Sequence, residues 1–144
     1  MTEQNYAHHA RTVKGFHILL GSLLVIGTIT SIVNVYMQVK ANDSVIGSTL
    51  ITTLFICGIL LFWYTRRFAV TVQDRAIRAE ESIRYYILTH KALDSKLTIG
   101  QIIALRFAYD DEFLVLADRA VREDLSPDEI KRSIKKWKAD HHRA

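Results

Sequence analysis

Two stretches of the chain, residues 16–39 and 44–65, contain no Lys, Arg, Asp or Glu. A helix needs ~20 apolar residues to cross a hydrocarbon core of ~30 Å, so each stretch predicts a transmembrane helix. The polar loop VKANDSV between them predicts a hairpin, with Asn42 near the tip of a tight turn. A pair of buried helices in a soluble protein is the alternative, and uncharged runs of this length fit it less well. The first run does not suit a cleaved signal peptide. Its apolar stretch is too long, and no A-x-A-like site follows it.

Past Thr65 the charges return but the helical period persists. Val72, Ala76, Ala79, Ile83, Tyr86 and His90 recur at alternating steps of four and three, a narrow seam with a period near ~3.5. Asp74 precedes Arg78 by four and Glu80 precedes Arg84 by four. Acid before base is the better order on a helix, at ~0.2–0.5 kcal/mol per pair. No Gly or Pro occurs from Ile59 to Ile99. The pattern predicts one helix from about Val45 to about Lys91, the second membrane span continuing into the cytoplasm as an arm; a kink near Thr65–Phe68 is the alternative. An alanine-rich seam predicts close packing against a helix, either of a second copy or of the C-terminal part of the same chain.

The segment LDSKLTIGQ breaks the arm. Thr98 with Gln101, and Ser126 with Glu129 behind Pro127, have the spacing of capping boxes. Asp110 is placed to cap the helix between them. Three short helices are predicted, about 98–108, 111–124 and 127–139. Their apolar faces are Ile102, Ile103, Leu105 and Phe107, then Phe113, Leu114, Leu116, Ala117, Ala120 and Val121, then Ile130, Ile134 and Trp137, with Leu125 at a join. So small a cluster needs further support, from the arm, the membrane or a neighbouring subunit. The predicted fold is therefore all-α. It has a cytoplasmic N-terminal flank (1–15), a transmembrane hairpin (16–65, helices about 16–39 and 45–65), a cytoplasmic helical arm (66–92) and a small cytoplasmic helical cluster (93–144).

Charge sets the orientation. Arg11 and Lys14 precede the hairpin and Arg66, Arg67, Arg75 and Arg78 follow it, whereas the connecting loop carries Lys40 and Asp43. The positive-inside rule puts both termini in the cytoplasm. Tyr36 at one boundary and Trp63 and Tyr64 at the other suit interfacial aromatic belts. Charge is also segregated in the tail. Residues 98–124 hold three Arg against six acids, and residues 125–144 hold six Lys or Arg against three acids. The last predicted helix gathers Lys131, Arg132, Lys135, Lys136 and Lys138 around an Ile–Ile–Trp face. Such a helix docks on anionic lipid headgroups or on an acidic protein partner, or is simply a solvated outer face. No nucleic-acid-binding motif is present, and nucleic acid is not an expected partner.

Candidate chemistry is sparse. The apolar runs are poor in ionisable groups, with only His17 at an edge, which argues against proton-coupled transport. On the first span Gly27, Ser31, Asn34 and Gln38 form a stripe at steps of four, three and four. Small and amide residues in that pattern predict a helix–helix interface, facing Ser48, Thr52 and Phe55 or facing Thr49 and Thr53. The sharper reading is the lining of a polar path in an oligomer. Cys57 is the single cysteine, a small packing residue. His8–His9 and His141–His142 are adjacent pairs, and no carboxylate or cysteine completes a metal set around them. No phosphate loop, H-E-x-x-H or G-x-S-x-G occurs, so neither an enzyme nor a cofactor is expected.

The segments QDRAIRAEESIR, LRFAYDDEFLVLADRA and LSPDEIKRSIKKWKADHHR resemble a family of small bacterial membrane proteins described only as a domain of unknown function. The likeness extends over nearly the whole chain. A Q-D-R-x-I-R element falls on Gln73, Asp74, Arg75, Ile77 and Arg78. An L-R-F-A-x-D-x-E element falls on Leu105, Arg106, Phe107, Ala108, Asp110 and Glu112. An I-K-x-x-I-x-x-W element falls on Ile130, Lys131, Ile134 and Trp137. The chain departs at Ala79 and Ser82, where larger apolar residues are expected. The resemblance implies the two-span architecture and a bacterial inner membrane, and it brings no activity. Beside it, Asp74, Arg75, Arg78, Arg106 and Asp110 are candidates for ion pairs tying arm to tail, or for holding a phosphate or lipid headgroup. The expected function is a non-enzymatic, multi-pass membrane protein, a self-associating scaffold or docking module. An oligomeric channel with a neutral lining and an accessory subunit of a larger membrane complex are the alternatives.

Overall fold

The computed structural model describes residues 13–139. A π-helical turn, Gly15–Leu20, leads into α1 (Gly21–Ala41). Then follow α2 (Ile46–Thr89), α3 (Ile99–Leu105), α4 (Asp110–Arg122) and α5 (Pro127–Ser133). Among the described residues there is no strand beyond one isolated bridge, Ala108 to Trp137. The chain divides into two compact units at Ala69–Val70.

In the first unit α1 ends at Asn42, whose φ of 60° is left-handed. Asparagine tolerates that region, and its own N–H and that of Asp43 close onto the Val39 and Gln38 carbonyls at 3.2 and 3.0 Å. The helix then turns back. α1 and α2 approach closely because glycine leaves room for a large side chain across the hairpin. A Cβ on Gly27 would collide with the Phe55 ring, and one on Gly58 would sit 2.9 Å from Leu24. At the open end Phe16 stacks on Phe62, ring centroids 4.4 Å apart. Both helices are long and apolar enough to cross a membrane, and only 6% of each apolar window is buried within the molecule.

Helix α2 continues without interruption past Arg66 and Arg67 and through residues 70–89 of the second unit. It ends one turn after Tyr86, where His90 adopts φ 55°. The helix thus ends close to the expected position, about Lys91, and only His90, expected in the seam, falls outside it. The arm packs on the tail by the face opposite that seam. Ile77 is 5% exposed and joins Leu97, Ile102, Leu105, Phe107, Phe113, Leu116, Ile130 and Ile134 in one core, with Tyr85 against it.

Both capping boxes form. The Thr98 hydroxyl accepts from Gln101 N–H at 3.3 Å and the Gln101 Oε1 accepts from Thr98 N–H at 2.8 Å. Ser126 and Glu129 repeat this at 3.3 and 2.8 Å. The two helix starts also meet: Gln101 Nε2 donates to the Leu125 carbonyl at 2.8 Å, and Pro127 lies against Gly100. Only an amide could close its own box and still donate outward, which suits glutamine at 101.

Two tail predictions are corrected. The N-cap of α4 is Tyr109, without a side-chain cap; Asp110 is the first helical residue and complements the helix dipole with Asp111 and Glu112. The last helix stops at Ser133 rather than near 139, with Ile134 extended at φ −71°, ψ 120°. The chain leaves the helix because other partners take its backbone. The N–H groups of Lys135 and Lys136 donate to the two Glu112 oxygens at 2.9 and 3.2 Å, and that of Lys138 to the Phe107 carbonyl at 2.8 Å.

Candidate functional site

The stripe on α1 splits into two roles. Gly27 meets Phe55, Ser31 and Ser48 are buried, and Gln38 Oε1 accepts from the Ser48 hydroxyl at 2.8 Å. These three stripe positions pack the hairpin together, facing Ser48, Thr52 and Phe55; Thr49 and Thr53 lie exposed. Asn34 is exposed, and its amide has no hydrogen bond among the described residues. It lines an open groove of ≈ 350 Å³ with Gly27, Thr30, Ser31, Ser48, Ile51 and Phe55. Cys57 is exposed.

The arm seam is exposed along its whole length. Ala76 and Ala79 are exposed, and Val72, Ile83 and Tyr86 are 67%, 60% and 57% exposed. Ile87, at 66%, widens the same apolar face. The opposite face is taken by the tail, and the seam stays exposed among the described residues.

The tie between arm and tail is made by a residue outside the predicted set. Arg84 donates from Nε to Asp110 at 2.7 Å, from Nη1 to Glu81 at 3.0 Å and from Nη2 to the Ala108 carbonyl at 2.8 Å. Its guanidinium lies 4.3 Å over the Phe113 ring. Glu81 is buried beside it. Of the predicted cluster, Asp110 takes part in this tie, and Arg75 and Arg78 stand exposed on the arm. Arg106 is buried, stacked 4.7 Å from the centroid of Phe107. The helical period around Arg84 was readable; its partners 24 and 26 residues away were not.

The basic tail helix is corrected in form. Only Lys131 and Arg132 belong to α5, and Lys135, Lys136 and Lys138 lie on the non-helical strap after it. Ile130 and Ile134 are buried, and Trp137 packs on Phe107 with ring centroids 5.0 Å apart. The expected Ile–Ile–Trp face therefore belongs to the core. Among the described residues no three His, Cys, Asp or Glu side chains converge into a metal-sized group. His8, His9, Arg11, His141 and His142 lie outside the described residues.

Comparison with curated proteins and with solved structures finds no match. The family model described as a family of unknown function, DUF6526, matches residues 1–144, and the chain belongs to that family.

Proposed function

We propose that this member of the DUF6526 family is a non-enzymatic, multi-pass protein of a bacterial inner membrane that self-associates and carries a cytoplasmic helical module as a scaffold or docking surface. The observation that carries this reading is the division of labour on residues 70–89 of α2. One face is buried under the tail around Ile77, and the other presents Val72, Ala76, Ala79, Ile83 and Tyr86 to the exterior. An apolar seam of that length is costly to leave in water, and alanine at its centre admits the close approach of a second helix. Two helices of membrane-crossing length whose apolar side chains find almost no cover in the molecule support lipid or another subunit as their surroundings. Lys and Arg flanking the hairpin support cytoplasmic termini.

A cysteine at the centre of the seam tests the reading. In a Cys57→Ser background, Ala79→Cys should form an intermolecular disulfide on mild oxidation in membranes, and Glu80→Cys, one step round the helix, should not. Equal cross-linking at both positions, or none at either, contradicts seam pairing. The channel alternative draws on Asn34 and its groove, and solute flux through reconstituted protein separates it from the scaffold.

A further inference from the structure

The strap that follows α5 has lost the amphipathic character its sequence suggested. Ile130 and Ile134 are buried and Trp137 packs half-buried against the core, so among the described residues these side chains form no outward apolar face to enter a bilayer. What faces outward is charge: Lys135, Lys136 and Lys138 are exposed and Lys131 is half-buried just before them. Three carboxylates of the tail already have partners. Glu112 accepts the strap's own N–H groups, Glu129 closes the Ser126 cap, and Asp128 pairs with Arg132 at 2.8 Å. Among the described residues none of these four lysines is in an ion pair. The backbone beneath them is fixed by three N–H groups, of Lys135, Lys136 and Lys138, the last being part of the Ala108–Trp137 bridge. A cluster of like charges held in place, with no ion pair to it among the described residues, is suited to an external polyanion.

We propose that this strap docks on anionic lipid headgroups by charge alone, with no insertion of apolar side chains. The proposal rests on the membrane-anchored reading above, because two spanning helices in the same chain keep a bilayer surface at high effective concentration. The cytoplasmic leaflet is the anionic one, and the flanking cations favour the tail on that side. A nucleic acid is disfavoured, because the aromatic side chain of the strap, Trp137, is already engaged in a tilted contact with Phe107 and is a poor platform for bases.

The test uses the full chain in nanodiscs of phosphatidylcholine, with and without phosphatidylglycerol, and reads lysine acetylation rates by mass spectrometry. Lys131, Lys135, Lys136 and Lys138 should react about fivefold or more slowly in the anionic discs at low salt, since each cation near such a surface contributes on that scale. Lys91 and Lys96 should not change, and high salt should erase the difference. In the variant Lys135→Gln/Lys136→Gln/Lys138→Gln, whose exposed side chains leave the fold unchanged, Lys131 should lose its protection too. Equal rates in both discs overturn the proposal. Protection in both discs together with a co-purifying acidic protein also overturns it, in favour of a protein partner. A chain that fails to enter the discs overturns the membrane reading itself.

Discussion

Arg84 shows how a single side chain fixes the tail to the arm. It satisfies the buried Glu81 carboxylate, caps the Ala108 carbonyl and covers the Phe113 ring. Its contact with Asp110 adds little, because that carboxylate is 64% exposed. Replacing Arg84 with Met keeps most of the apolar stem but strands Glu81 in the core. Removing one partner of a buried pair costs ~3–5 kcal/mol; with both side chains partly solvated, about 2–3 kcal/mol is expected. Chemical denaturation followed at Trp137, in a Trp63→Phe background, measures this, and Arg84→Met/Glu81→Leu should recover part of the loss. No loss in the single variant would mean that apolar packing alone holds the tail. Gly27 and Asn34 mark the contrast within the stripe on α1. Glycine is required where Phe55 presses on the backbone, and the Asn34 amide has no hydrogen bond among the described residues.

At the scale of elements, the two capping boxes differ in one atom that matters. Glu129 accepts from the Ser126 hydroxyl and N–H, and these hydrogen bonds hold its carboxyl below the ordinary glutamate value. A lowered folded-state value means the stabilisation is fully present above the ordinary pKa, ~4.3, and is lost as pH falls through the lowered one. The equivalent position on α3 is Gln101, which does not titrate. Amide hydrogen exchange should therefore show the start of α5 loosening in acid while the start of α3 stays protected, and Glu129→Gln should remove the difference. Loosening of both starts together, or of α5 alone near neutral pH, would contradict this. Both boxes were legible in the sequence because a cap needs only residues three apart. So were the hairpin and the unbroken α2, since uncharged runs and the absence of Gly and Pro act locally. The end of α5 was not legible. The periodic Ile130, Ile134 and Trp137 continue a helical pattern, but Glu112, 23 residues away, takes the Lys135 N–H. Nor could the period of the arm alone say which face the tail would cover; Ile77 falls between seam positions and proved to be the buried one.

The whole molecule is an all-helical chain with two kinds of uncovered apolar surface: the two long apolar helices of the first unit and the seam on the arm of the second. Lipid suits the first, and a second copy of the same seam suits the other. Isologous pairing would place Ala79 near a twofold axis and let Val72 and Tyr86 close around it. The strap lysines would then act beside an assembled module, adding a charge-based contact to an apolar one. The measurement that tests this account most directly is the native mass of the protein in mild detergent, for the wild type and for Ala79→Glu. The account predicts a discrete homo-oligomer for the wild type, shifted to monomer by a glutamate that places like charges in the seam. A wild-type monomer, a stoichiometric complex with a different protein, or an oligomer indifferent to Ala79→Glu would contradict it.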